Sequence, residues 1–186
     1  MSVLPKDVAV ALEACNERIR SIEEEKQSAL EKMRIDYRLK IESLFGKRQE
    51  YLDQIDGFWS SVLASASSPL KDFFNGTIDP KIVRAVTKLH VWTCVKDGSL
   101  CRCVSVTFRQ NMFVEQGTYS RELNSDLHTI SIEPIKWKPG TERARQDSVF
   151  RFLSEEMKEK ELIEDILDAF DTVFQDPLLV LEEGEE

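Results

Sequence analysis

KDVAVALEACNERIRSIEEEKQSALEKMRIDYRLKIESLF, residues 6–45, runs forty positions without a glycine or a proline. An apolar stripe continues through nearly all of it: Val8, Leu12, Cys15, Ile19, Ile22, then Lys26, then Leu30, Met33, Tyr37, Ile41 and Leu44. Ten steps cover 36 residues, so the mean period is 36/10 = 3.6, that of a straight α-helix rather than a supercoiled heptad. Such a helix would be roughly 60 Å long, more than a small domain can cover. One narrow apolar stripe on a highly charged rod asks for a partner helix, and the simplest partner is a second copy of the chain. A solvent-bridging single helix and an intrachain hairpin with the C-terminal helices are the alternatives. The stripe residues expected to join two copies are Leu12, Ile19, Ile22, Leu30, Met33, Tyr37 and Ile41.

Outward from the rod, helical spacing continues past Gly46 through Tyr51, Leu52 and Ile55, and Gly57 is the expected stop. Phe58-Trp59 opens a second helical stretch, a short helix follows around Leu70–Phe74, and Asp79-Pro80 opens another short segment. From Val86 the period becomes two. Asp97-Gly98 is a strong hairpin signal, and turning there pairs Cys94 with Cys101, Trp92 with Cys103, Val91 with Val104 and Leu89 with Val106. A third strand near Asn111–Leu123 and a fourth near Leu127–Trp137 complete a four-stranded antiparallel meander. Asp147–Phe174 then reads as helix, with Val149, Phe152, Leu153, Met157, Leu162, Ile163, Ile166, Leu167, Phe170 and Val173 on one face. The opposite face carries Glu155, Glu156, Glu159, Glu164, Asp165, Asp168 and Asp171. The expected fold class is therefore α+β: a long dimerisation helix over 1–57, a sheet with packed helices over 58–181, and an acidic stub at 182–186.

The chain has 186 residues, 41% hydrophobic and 32% charged, which suits a folded protein rather than a disordered one. Nothing resembles a signal peptide or a membrane span, so the four cysteines point to a reducing intracellular compartment. The net charge of −9 is unevenly placed. Residues 1–60 carry 10 basic against 12 acidic side chains, residues 61–140 carry 10 against 7, and residues 141–186 carry 5 against 15. That last quarter should attract a basic partner and repel nucleic acid. From Glu161 onward the acidic face has no lysine or arginine of its own, so like-charge repulsion is accepted along it, as expected of a surface kept for a basic ligand.

No phosphate-binding loop, nucleophile elbow or zinc-protease helix is present. His90, Cys94, Cys101 and Cys103 share one face of the hairpin but lack a Cys-x-x-Cys knuckle or a second ligand pair. They are read as packing residues, with no metal, no cofactor and no catalytic site expected.

Three stretches resemble one family. Lys47-Arg48-x-x-Tyr51-Leu52-x-x-Ile55-x-x-Phe58-Trp59 is similar to a helix-end motif, Ile135-Lys136-Trp137-Lys138-Pro139-Gly140 to the end of a last sheet strand, and Phe174-Gln175-Asp176-Pro177-Leu178 to the point where a folded core gives way to an acidic tail. Together, and in this order, they resemble the nucleosome assembly protein family of histone chaperones, its SET-type members most closely. The resemblance implies a homodimer joined along antiparallel long helices, an α+β "earmuff" domain on each chain, and acidic surfaces that grip core histones: the central tetramer-forming pair, the outer pair or both. It implies no catalysis, no direct nucleic-acid or membrane binding, and a nuclear protein that can shuttle to the cytoplasm. The alternative in a different class is an acidic regulatory scaffold or a phosphatase-inhibitor-like binding protein.

Overall fold

A computed structural model of the chain describes residues 5–96, 99–143 and 145–182. The chain falls into two compact units, Met1–Ile41 and Glu42–Glu186. Helix α1 (Lys6–Leu52) provides the described part of the first unit after Pro5 and the opening segment of the second. In the first unit the stripe side chains Leu12, Ile19, Ile22, Leu30, Met33, Tyr37 and Ile41 are all exposed, between 41% and 59%. The second unit begins at Glu42, and Phe45 and Leu52 of the last turns of α1 pack on its core.

In the second unit α1 gives way after Leu52 to tight turns, with Ile55 N donating to Leu52 O and Phe58 N to Ile55 O. Gly57 then takes a left-handed φ of 74°, which an L side chain adopts only with strain, and starts α2 (Phe58–Ala64). A 3-10 turn at Pro69–Phe73 and α3 (Asp79–Val83) lead into the sheet. The sheet comprises β1 (Val86–Lys96), β2 (Ser99–Phe108), β3 (Gly117–Asn124) and β4 (Thr129–Glu133), all antiparallel in the order β1-β2-β3-β4. The meander expected from the sequence is therefore present. So is its register, with Lys96 opposite Ser99, Cys94 opposite Cys101 and Leu89 opposite Val106. The Asp97-Gly98 turn itself lies outside the described residues.

Two strands are shorter than the hydrophobic pattern suggests. Pro134 has no amide hydrogen for the ladder, so β4 stops at Glu133. Pairing resumes only as an isolated bridge between Val114 and Trp137. Asn111 folds back so that its Oδ1 accepts from Phe113 N and Val114 N, and β3 starts only at Gly117.

Leu89, Val91, Val104, Val106 and Leu123 face one side of the sheet and join Trp59, Ile82, Phe150, Phe152, Phe170 and Phe174 in a single core. That core is covered by α2, by a 3-10 turn at Val149–Leu153 and by α4 (Lys160–Gln175), and α5 (Pro177–Glu182) closes against α2. The anticipated continuous helix from Asp147 is a correction: residues 154–159 are not helical. Val149, Phe152, Leu153 and Met157 are all buried, but through a 3-10 turn and an irregular segment.

Asp79 pins this arrangement. It is fully buried, and its carboxylate accepts from Asn75 N at 2.8 Å, from Val149 N at 2.9 Å and from the Ser148 hydroxyl. Burial raises its pKa above the usual aspartate value, against the lowering pull of those three donors. Asp79→Ala would leave all three donors without an acceptor. It should cost about 2–4 kcal/mol in urea unfolding, far more than a truncation on an exposed face.

Candidate functional site

Helix α4 is built as a two-sided element. Ile163, Ile166, Leu167, Phe170, Val173 and Phe174 recur at helical spacing and are buried, whereas Leu162, expected on the same face, is exposed. Residues at i, i+3, i+4 and i+7 share a face, which places Glu161, Glu164, Asp165 and Asp168 together on the solvent side, all exposed. Among the described residues, no side-chain partner is found for Glu161, Glu164 or Asp165.

The C-terminal end of α4 is fixed by α1. The Arg48 guanidinium donates to the Gln175 carbonyl at 2.7 Å and to the Phe174 carbonyl, two of the acceptors a helix C-terminus leaves open. It lies 4.7 Å from the centroid of the Phe45 ring and 5.1 Å from that of Phe174. Trp59 stacks on Phe174 at 5.7 Å. Two of the three motifs recognised in the sequence thus meet here: the helix-end motif caps and packs against the Phe174-Gln175-Asp176-Pro177 stretch. Burial lowers the Arg48 pKa, and the Asp176 carboxylate partly offsets this.

The acidic residues singled out in the sequence do not form one surface. Asp168 and Asp171 are drawn toward the sheet by Arg102 of β2, whose Nη2 lies 2.7 Å from Asp168 Oδ1 and 3.7 Å from Asp171 Oδ2. Asp171 also accepts from Gln175 Nε2. The face that looks uncompensated along the helix is therefore partly neutralised from a neighbouring strand. Glu155, Glu156 and Glu159 leave the helical face altogether. Glu155 borders a cleft with Arg121, Lys158 and Lys160, whereas Glu156 borders another with Arg145 and Arg151, and its carboxylate lies 3.8 Å from the Arg151 guanidinium. Glu159 is the residue before α4, and its Oε2 accepts from Lys158 N. Hydrogen bonds to backbone amides lower its pKa.

The reason for the helical break is Arg121. It lies on the core face of β3, opposite Val104, and is 4% exposed. A guanidinium there must be supplied with acceptors. It donates to the Phe152 carbonyl at 2.9 Å, the Met157 carbonyl at 3.3 Å and the Thr129 hydroxyl at 3.0 Å. Those carbonyls are available because the chain between them is not helical. Burial lowers the Arg121 pKa, and Glu155 works in the opposite direction. Neither arginine belonged to a motif. The one signal available was a cation interrupting each strand's apolar face: Arg102 before Val104 and Val106, and Arg121 between Tyr119 and Leu123.

On the other face of the sheet the register brings Cys94, Cys101 and Cys103 together, as expected, and adds Glu122 from β3, which sequence spacing did not flag. Cys101 and Cys103 are buried, and burial pushes the Cys103 thiol up to about 12.

Among solved structures the chain has the fold of nucleosome assembly proteins. It superposes on Ccp1 with a TM-score of 0.71 at 17% identity, covering 94% of this chain and 97% of that one. On nucleosome assembly protein S (PfNapS) of Plasmodium falciparum the TM-score is 0.66 at 19% identity, over 93% and 99% of the two chains. Nucleosome assembly protein 1 of Plasmodium knowlesi gives 0.61 at 14% identity, over 97% and 99%. No protein-family model and no curated protein matches the sequence. The likeness is one of fold, extending from the long helix to the C-terminal helices.

The two arginines should behave differently when removed. Arg121→Met leaves three acceptors unmet and should lower stability by about 2–4 kcal/mol. Arg102→Gln breaks a pair open to solvent on its acidic side and should cost less than about 1 kcal/mol. Urea unfolding of both variants checks the ranking.

Proposed function

We propose that the chain is a non-catalytic histone chaperone that acts as a homodimer and binds core histones through the carboxylates of α4. The observation that carries this reading is the row Glu161, Glu164 and Asp165, exposed and without side-chain partners among the described residues, on a helix whose other face is locked into the core. A row of fixed anions on a rigid support attracts a basic, folded partner at long range. The fold supports the choice of partner, since its likenesses include proteins named for nucleosome assembly, a process whose basic components are the core histones. Asp168 and Asp171 contribute less than the free carboxylates because Arg102 already shares them. Glu155, Glu156 and Glu159, which lie off this face, are assigned a separate and lesser part in histone contact. A nuclear location with shuttling to the cytoplasm follows from the same reading, and no helix among the described residues is long and apolar enough to cross a membrane.

Self-association is assigned to α1. Leu12, Ile19, Ile22, Leu30, Met33, Tyr37 and Ile41 are exposed in the single chain, and each large apolar side chain gains about 1.5–3 kcal/mol on full burial. A second copy carries the same stripe and so offers a self-complementary cover.

Two experiments test these assignments. Neutralising Glu161, Glu164 and Asp165 to Gln, Gln and Asn should weaken binding of either histone pair by roughly tenfold at moderate salt, at about 0.2–1 kcal/mol per lost exposed contact. Thermal stability should not change. Arg102→Gln, which uncovers Asp168 and Asp171, should strengthen binding, and both effects should shrink as salt rises. Equal affinity of the triple variant and wild type would move the histone site elsewhere, and salt-independent binding would favour a specific inhibitor surface. For the dimer, Ile19→Asp with Ile22→Asp should halve the mass seen by light scattering; a monomeric wild type at micromolar concentration contradicts the assignment.

A further inference from the structure

The sheet face turned away from the core holds a cluster that the histone reading does not use. Cys94 on β1 and Cys101 on β2 are direct cross-strand partners, and Cys103 on β2 is the partner of Glu122 on β3. All therefore project to the same side. The sulfurs of Cys94 and Cys101 and a carboxylate oxygen of Glu122 lie within 4.8 Å of one another, and Cys94 Sγ is 3.8 Å from Glu122 Oε1. In a tetrahedral zinc site, with Zn–S near 2.3 Å and Zn–O near 2.1 Å, donor atoms stand about 3.5–3.8 Å apart. The cluster is thus within roughly 1 Å of that geometry, on three strands whose mutual register is fixed by backbone hydrogen bonds.

We infer that Cys94, Cys101 and Glu122 form a binding site for a thiophilic divalent cation, zinc by its chemistry, with solvent as the fourth ligand. Two sulfurs and one carboxylate exclude magnesium and calcium, which require oxygen donors, and suit zinc. Spacing along the chain argues against a metal because it shows no second ligand pair. The sheet supplies the missing ligand from β3, a relation invisible to linear spacing. Access comes through Cys94, which is only half-buried.

A cation already occupies the neighbourhood. Lys96 Nζ lies 2.6 Å from Glu122 Oε1 and 2.7 Å from Oε2, and the lysine side chain is half-exposed. Its ammonium holds the carboxylate facing the thiols. Its exposure leaves it free to swing out when an ion takes the carboxylate. Lys96 is therefore a competitor of the metal rather than a ligand, and removing it should favour binding.

The test uses the full chain, reduced with a phosphine, stripped with a chelator and titrated with Co²⁺ as the spectroscopic probe. Thiolate-to-cobalt charge transfer with tetrahedral d–d bands, saturating at one Co²⁺ per chain and erased by one equivalent of Zn²⁺, is the expected result. Cys94→Ser should remove most of the charge-transfer intensity, Glu122→Gln should weaken binding about tenfold or more, and Cys15→Ser should change nothing. Lys96→Met should tighten binding, and because Lys96 is an exposed residue this variant remains informative even if changes at the buried positions impair folding. Absence of charge transfer, signal that follows Cys15, or no gain from Lys96→Met overturns the inference. So does a reduced protein that binds no metal while the protein as purified carries a Cys94–Cys101 disulfide.

Discussion

Arg48 closes the end of α4, and the rest of the second unit is arranged around that contact. A helix C-terminus ends in carbonyls that lack intrahelical donors. Here a guanidinium from another helix satisfies two of them while lying against the rings of Phe45 and Phe174. The contact sets the axial position of α4, and Trp59 and His90 then pack on the same Phe174 ring. Holding α4 in this way places its apolar side on the sheet and leaves its acidic side in water. The same contact joins the last turns of α1 to the core of the second unit, which begins at Glu42.

Charge on the solvent side of α4 is graded rather than uniform. Among the described residues Glu161, Glu164 and Asp165 have no side-chain partner, while Asp168 and Asp171 share Arg102. A purely solvating face would gain by mixing signs within the helix; here a cation, Arg102, comes from β2 and serves one end. On the proposed reading, this gradient would direct a basic partner toward the first turns of α4. Since each exposed contact contributes little, selectivity must come from several carboxylates held at fixed spacing by a buried face.

How far the sequence revealed this structure depends on which residues made each decision. The hairpin was legible because Asp97-Gly98 and the alternating apolar residues agree on one register, and a one-residue slip would turn Val91 and Val104 outward. The long helix was legible because forty residues hold no glycine or proline and only Lys26 breaks the apolar stripe. The break at 154–159 was not, because Val149, Phe152, Leu153 and Met157 keep helical spacing while a 3-10 turn and an irregular segment bury the same four side chains. What decides between the two is the demand of Arg121 for carbonyl acceptors, a contact from a residue about 30 positions upstream. The acidic face was legible as a pattern, but its neutralisation by Arg102 and its separation from Glu155, Glu156 and Glu159 were tertiary facts. Glu122 escaped notice for the same reason, since its relation to Cys94 exists only through the order of the strands.

The central claim, that the free carboxylates of α4 hold histones, is tested most directly by zero-length coupling. Carbodiimide joins a carboxylate to an amine only where the two are in contact, so mass spectrometry of the coupled complex reads the interface residue by residue. With purified core histone pairs at moderate salt, the predicted products are amide bonds from Glu161, Glu164 or Asp165 to histone lysines, disappearing at high salt. Coupling confined to carboxylates elsewhere, such as Glu23–Glu25 of α1, with none on α4, would contradict the account.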